Sequence, residues 1–235
     1  MSGELLGVLG GLGPLCGALF YRRVIEYTDA ACDNDHISVL LDGRTDTPDR
    51  SAFLCGDSPN DPFPLLLDRA RNLIENGATV LALPCNTAHG FYRRLQAELS
   101  VPLLHMISET VATLCERQVL CVGILCTEGT RRARLYDTFC APLGIRCLYP
   151  TQELQRSLDD LIFSHLKAGK DGAPSLLTPF CDALQAAGAS HIVTGCTELS
   201  LCAPKADPTI IDSLDVLARR SVLACGKRLC GGWAS

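Results

Sequence analysis

The stretch Pro84-Cys85-Asn86-Thr87-Ala88-His89 follows an apolar run over residues 79–83 and opens a polar, helix-favouring sequence. A second stretch, Gly195-Cys196-Thr197-Glu198-Leu199, follows the run His191 to Thr194 in the same way. Each pattern predicts a cysteine at the carboxyl end of a buried strand. Ligands bind at this edge of open parallel sheets. We therefore expect Cys85 and Cys196 to face a single ligand from opposite sides.

Strand and helix patterns alternate along the whole chain. Strands are predicted at residues 5–9, 37–41, 79–83, 101–106, 119–125, 145–148, 191–194 and 209–211. This alternation predicts an α/β fold with parallel sheets and helices on both faces. Because strand, turn and cysteine recur in the same order, we predict two similar lobes with the ligand in the cleft between them. One lobe would contain residues 1–116 plus 210–235, and the other residues 117–209.

Composition limits the class of protein. The chain has 235 residues, 47% hydrophobic and 20% charged, with a net charge of −5. These values predict a globular protein and argue against a nucleic-acid-binding surface, which needs clustered Lys and Arg. The first residues lack a basic leader, and no apolar run reaches the roughly 18 residues that span a bilayer. We expect a cytoplasmic protein with no membrane segment.

The 14 cysteines do not form a metal-binding pattern. There is no C-x-x-C spacing, so a structural zinc site is not supported and no metal is expected. Several cysteines, such as Cys121, Cys126, Cys147 and Cys225, lie in apolar runs and are interpreted as small core residues.

Cys85 and Cys196 differ from these core cysteines because each precedes a predicted helix. The unpaired amides at a helix start favour an anion and are expected to lower the thiol pKa. A thiolate on one side of a carbon and a thiol on the other suit stereoinversion by proton transfer. Asn86, Thr87 and Thr197 would supply hydrogen-bond donors, and Arg50 and Lys167 are candidates for holding carboxylates.

Five motifs in this order resemble the aspartate racemases, the cofactor-independent branch of the aspartate/glutamate racemase family. They are Gly10-Gly11-Leu12-Gly13-Pro14, Pro48-Asp49-Arg50-Ser51, the Cys85 stretch, Leu166-Lys167-Ala168-Gly169 and the Cys196 stretch. The resemblance runs from about Leu6 to Ile211, and the two cysteine motifs are its most specific part.

The resemblance implies two Rossmann-like lobes related by a pseudo-two-fold axis, in a homodimer. It implies Cys85 and Cys196 as acid and base, a free acidic amino acid (L- or D-aspartate, or glutamate) as substrate, and no cofactor. The substrate-binding residues would be Gly11, Arg50, Asn86, Thr87, Thr127, Thr130, Lys167, Thr197 and Glu198. The chain departs from the family pattern at Leu15-Cys16-Gly17 and between Asp42 and Thr47, which leaves side-chain preference open.

Several alternatives remain open at this point. Gly11-Leu12-Gly13 resembles a dinucleotide-binding turn, but Cys16 stands where the third glycine would be. Other cysteine-dependent members of the superfamily include hydantoin racemases, maleate isomerases and decarboxylases, and a non-catalytic amino-acid-binding homologue is also compatible. Glu198 is interpreted either as a tuner of Cys196 or as an ordinary helix-start carboxylate. For His89 we favour helix capping or support of the site over a role as an activating base.

Overall fold

A computed structural model of the chain describes residues 4–204 and 207–231. Its first sheet is parallel and contains β1 (Leu5–Leu9), β2 (Ser38–Asp42) and β3 (Val80–Ala82) in the order β2-β1-β3. The second sheet is also parallel and contains β4 (Cys121–Leu125), β5 (Arg146–Leu148), β6 (His191–Thr194) and β7 (Ile210–Asp212) in the order β5-β4-β6-β7. In each half the first strand lies between the second and the third. The predicted α/β fold with two parallel sheets is confirmed.

Ten α-helices connect the described strands. They are α1 (Pro14–Tyr27), α2 (Arg50–Cys55), α3 (Phe63–Glu75), α4 (Tyr92–Glu98), α5 (Met106–Glu116), α6 (Glu128–Arg132), α7 (Leu135–Cys140), α8 (Gln152–Asp160), α9 (Thr178–Ala186) and α10 (Ser213–Ala224). Within the described residues, none is long and apolar enough to cross a membrane.

Apolar side chains cover both faces of each sheet, as parallel sheets require. On the first sheet, Leu6 and Val8 pack with Phe20 of α1 and Leu217 of α10. The opposite face packs against α3 and α4. On the second sheet, one face packs against α5 and α7. The other packs against α8 and α9.

The end of the chain joins the two lobes. β7 pairs with β6 in parallel and so extends the second sheet, with Val193 opposite Ile211. The following helix α10 returns to the first lobe and packs against α1 and α5. The chain therefore crosses between lobes at Asp212 and Ser213. The exact division into domains stays a prediction.

The predicted strand at 101–106 is wrong. Only Leu103 bridges to the sheet, opposite Leu81. The chain then enters α5 at Met106, because the His105 side chain caps that helix by accepting a hydrogen bond from the Ser108 amide, 3.1 Å away. The long polar connection after β2 also contains an unpredicted helix, α2, which Asp49 caps through the Ala52 amide at 3.0 Å.

Arg69 of α3 fixes the turn that follows β1. Its side chain is fully buried and donates to the Gly10 carbonyl at 2.6 Å, the Thr47 hydroxyl at 2.7 Å and the Asp42 carboxylate at 3.0 Å. Burial alone would raise the pKa of Asp42, but hydrogen bonds from Arg44 and Arg69 outweigh it and hold that pKa well below its usual range. The ends of β1 and β2 and the loop before α2 therefore share one buried cation.

We expect Arg69→Met to lower the free energy of unfolding by about 3–5 kcal/mol, because it leaves buried acceptors without their cation. Urea denaturation measures this change. The matched control is Arg71→Met on the same helix, where the arginine is half exposed and pairs with exposed Glu98. That control should lose no more than about 1 kcal/mol. Equal losses in the two variants would contradict the central role of Arg69.

Candidate active site

The two cysteines lie at corresponding points of the two sheets. Cys85 follows β3 and Cys196 follows β6, and each is succeeded by a short 3₁₀ helix, Thr87–Phe91 and Thr197–Leu201. Both side chains are buried, and both line a single inner cavity between the lobes. Its volume is about 20 Å³, which is room for one water molecule. The structure thus brings together the two thiols that the sequence singles out.

Glu198 joins Cys196 to Lys167. The Cys196 thiol donates to Oε2 of Glu198 at 3.1 Å, and Lys167 Nζ forms an ion pair with Oε1. The carboxylate is buried and the lysine side chain is 26% exposed. Burial would lower the pKa of Lys167, but the neighbouring Glu198 raises it, so the lysine stays charged.

This arrangement corrects the expectation of a lowered pKa at Cys196. Burial raises the pKa of the Cys196 thiol well above its ordinary value, and the Glu198 carboxylate raises it further. The Lys167 ammonium opposes both effects without overcoming them. The helix after Cys196 is a short 3₁₀ helix of five residues, and the Cys196 side chain faces the Glu198 carboxylate. Cys196 therefore rests as a protonated thiol.

His89 supports the backbone of Cys85. The Met106 amide donates to Nε2 of His89 at 3.0 Å, so the ring proton lies on Nδ1 and is donated to the Cys85 carbonyl at 2.9 Å. Burial lowers the pKa of His89 and keeps the ring neutral. The histidine ties Cys85 to the start of α5, which agrees with a supporting role and leaves no free nitrogen for a base.

A chain of hydroxyl groups crosses the cleft. Thr87 Oγ1 lies 3.0 Å from Thr127 Oγ1 and 2.9 Å from Thr130 Oγ1. Ser51 donates to Thr127 at 3.0 Å, so both lobes contribute to the network. Thr87, Thr127 and Ser51 line the inner cavity, and Thr130 stands behind them. The wall of the inner cavity therefore carries hydroxyl groups from both lobes.

Asn86 is fixed by two residues that sequence reasoning missed. Its Nδ2 donates to Ser213 Oγ at 3.0 Å, and its Oδ1 accepts from Tyr136 at 2.7 Å. Ser213 in turn donates to the Thr194 carbonyl at 2.6 Å. The amide, which lines the inner cavity, is thus held by both lobes. No sequence signal identifies these partners, because they belong to distant elements.

Arg50 and Lys167 lie at the boundary between the inner cavity and a larger outer cavity. With Glu198 they line both spaces. Two Arg50 nitrogens donate to backbone carbonyls of Thr47, Pro48 and Leu12, while the buried Nε has no partner among the described residues. Lys167 also approaches the Leu12 carbonyl, at 3.4 Å. We call Arg50, Lys167 and Glu198 the boundary residues.

The outer cavity has a volume of about 400 Å³ and contains the predicted site residue Gly11. Gly11 has a positive φ of 73°, and a Cβ there would lie 1.9 Å from the Arg44 carbonyl oxygen. Nearby Gly13 is also required, because its Cβ would lie 2.4 Å from Oε1 of Glu198. The glycines of the first turn therefore leave space for the neighbouring loop and for the Glu198 carboxylate.

Two further side chains join the site. Cys16 is buried and lines the outer cavity, and burial, together with Glu198, raises the pKa of its thiol. Phe163 lines the inner cavity, with Lys167 Nζ 5.9 Å from its ring centre. The sequence showed Cys16 only as a departure from the family pattern. No sequence pattern identifies Phe163 as a site residue, because its placement depends on the helix that follows α8.

That helix is a π-helical segment, Leu161–Leu166, in which the Lys167 amide donates to the Ile162 carbonyl at 2.9 Å. The segment continues directly from the end of α8 at Asp160 and is wider than an α-helix. Segments of this kind recur at functional sites. Here the segment leads directly into Lys167 and carries Phe163.

Among residues 4–204 and 207–231, no cluster of three or more His, Cys, Asp or Glu side chains could hold a metal ion. All 14 cysteines fall within these residues and are free thiols.

We expect Glu198→Gln to lower the pKa of Cys196, because it removes the negative charge that holds the proton on sulfur. The rate of Cys196 alkylation by iodoacetamide at pH 8 should rise about tenfold, the change in thiolate fraction for one pKa unit. Peptide mass spectrometry measures the rate at each thiol. Exposed Cys115 is the internal control. An unchanged rate at Cys196 beside normal labelling of Cys115 would show that Glu198 does not hold the proton.

Comparisons with known sequences identify relatives of this chain. The sequence model of the Asp/Glu/hydantoin racemase family matches residues 9–220. The broad specificity amino-acid racemase RacX of Bacillus subtilis is 27% identical over 230 residues, which cover 93% of this chain and 96% of that protein. A glutamate racemase of Deinococcus radiodurans is 26% identical over 83% of this chain and 74% of its own length.

Solved structures show the same fold. The Picrophilus torridus aspartate racemase superposes with a TM-score of 0.86 at 23% identity, covering 97% of this chain and 96% of that one. A Francisella tularensis glutamate racemase in complex with D-glutamate superposes with a TM-score of 0.64 at 15% identity, covering 95% and 81%. The family match spans most of the sequence, and it includes both cysteines and the boundary residues. The chain therefore belongs to the Asp/Glu/hydantoin racemase family, whose aspartate and glutamate racemases are isomerases.

Proposed function

We propose that this chain is a cofactor-independent amino-acid racemase in which Cys85 and Cys196 exchange protons with the substrate α-carbon from opposite faces. The observation that carries the proposal is that both buried thiols, one from each sheet, line one cavity. A carbon placed between them is within reach of an acid on one side and a base on the other. General acid–base groups so placed accelerate proton transfer by about 10²–10⁴-fold.

The raised pKa of the Cys196 thiol suggests which cysteine is the acid at the start of the reaction. Cys196 begins as the proton donor, and Cys85, on the opposite side, is the base that removes the α-proton. The carbon–hydrogen bond breaks as a sulfur–hydrogen bond forms on Cys85, and the electron pair remains on the substrate as a carbanion. Cys196 then gives its proton to the opposite face, and its thiolate is left beside the Lys167 ammonium. The reverse reaction starts from this state.

Hydrogen-bond donors around the α-carboxylate would stabilise the carbanion. The hydroxyl groups of Thr87, Thr127 and Thr197 lie at the inner cavity, and the Asn86 amide is held in place beside them. Preorganised donors stabilise developing negative charge without rearranging. The inner cavity has room for only one water molecule, so the lobes must separate to admit a substrate.

Aspartate and glutamate are the substrates implied by the family resemblance. Both bring a second carboxylate, for which Arg50 and Lys167 are the cations within the site. The buried Arg50 Nε has no partner among the described residues, and Lys167 would divide its hydrogen bonds between Glu198 and the substrate. A homodimer and a cytoplasmic location are also parts of this proposal. Sedimentation velocity tests the homodimer.

We expect Cys85→Ser and Cys196→Ser each to reduce racemisation by about 10²–10⁴-fold, since each removes one of the two proton carriers. NMR in D₂O measures α-proton exchange and inversion together. The matched control is Cys115→Ser, which changes an exposed thiol on α5 and should leave activity unchanged. If only one serine variant loses activity, or if a covalent adduct accumulates, the single-nucleophile chemistry of the other superfamily members is favoured instead.

A further inference from the structure

The outer cavity is much larger than the inner one. Its volume of about 400 Å³ lies within the range of small-molecule sites, whereas the inner cavity has about 20 Å³. The two spaces meet at the boundary residues Arg50, Lys167 and Glu198. An α-carbon held between the thiols therefore has its side chain directed either into the crowded inner space or past this boundary. The outer cavity is the space with room for it.

The cations at the boundary are already engaged. Lys167 is paired with buried Glu198, and two of the three Arg50 nitrogens donate to backbone carbonyls. The Arg50 Nε, which forms one half of the edge that pairs bidentately with a carboxylate, is buried and is therefore not presented to the outer cavity. An acidic side chain would also lie beside the Glu198 carboxylate. Its binding would compete with the partly buried Lys167–Glu198 ion pair.

Beyond the boundary the wall is mostly apolar. Leu12, Pro14, Leu15, Leu166, Ala168 and Leu201 line the outer cavity. Leu15 is 49% exposed, which leaves apolar surface uncovered in the absence of a ligand. Burial of apolar surface favours an apolar side chain here, and a neutral side chain requires no rearrangement of the Lys167–Glu198 pair.

From these three observations we infer that the outer cavity is the side-chain pocket of the substrate, and that it selects neutral amino acids with large apolar side chains. Methionine, leucine and phenylalanine are the test members of this class. This inference rests on the proposed racemase activity and names its substrate class. It differs from the acidic substrate that the family resemblance implies.

The experiment compares α-proton exchange in D₂O for L-aspartate, L-glutamate, L-alanine, L-methionine, L-leucine and L-phenylalanine, with kcat/KM measured for each. We expect kcat/KM for the three large apolar amino acids to exceed that for alanine and aspartate at least tenfold. Hydrophobic pockets commonly discriminate by this amount for a few carbon atoms. The full chain with both cysteines intact is used.

Two variants, in each of which an alanine is replaced by tryptophan, test where the side-chain pocket lies. Ala168→Trp places a large ring in the outer cavity and should lower the methionine-to-alanine ratio of kcat/KM at least tenfold. Ala97→Trp on α4 is the matched control, because Ala97 is also exposed but lies outside both cavities. It should leave the ratio unchanged. A ratio unaffected by Ala168→Trp would overturn the assignment of the pocket.

The remaining outcomes separate this inference from the racemase proposal. Exchange with aspartate or glutamate, with the large apolar amino acids slower, would overturn the substrate class and leave the racemase proposal standing. Exchange with none of the amino acids would overturn the racemase proposal and this inference with it.

Discussion

The buried carboxylate of Glu198 organises the site. It accepts a hydrogen bond from the Cys196 thiol through one oxygen and pairs with Lys167 through the other. A buried carboxylate is tolerated only where such partners compensate for lost hydration. The absence of a side chain at Gly13 gives it room. This charge therefore adds to the effect of burial in raising the pKa of the Cys196 thiol, and it pairs with a lysine from a separate helix. With Arg50 and Lys167 it lies between the two cavities.

The rest of the cleft shows the same dependence on contacts from both lobes. The hydroxyl network joins Ser51 and Thr87 of the first lobe to Thr127 of the second. Asn86 is held by Tyr136 from the second lobe and by Ser213, where the chain crosses back. Such polar networks are favourable when every member is satisfied. The contacts of the protein itself therefore hold these hydroxyl and amide groups in fixed positions around the inner cavity.

The sequence was most informative where local patterns decide the structure. The apolar runs before Cys85 and Cys196 identified strand ends, and the repeated order of elements predicted two parallel sheets. It was least informative where burial depends on distant elements. Arg69 and Arg71 lie on one helix, yet one is buried against the first turn and the other is half exposed. The helix-start argument for the pKa of Cys196 is wrong because the thiol is buried and faces the Glu198 carboxylate, and both effects depend on the folded loop.

The π-helical segment before Lys167 carries an evolutionary consequence. A widened turn of this kind holds one residue more than an ordinary helical turn. Loss of one residue between Leu161 and Leu166 would restore a regular helix of about 100° per residue. Because the wide turn absorbs its extra residue locally, Lys167 would stay at the boundary, whereas Phe163 lies within the turn and would shift. Relatives that differ by one residue here are thus candidates for a changed cavity wall around an unchanged lysine.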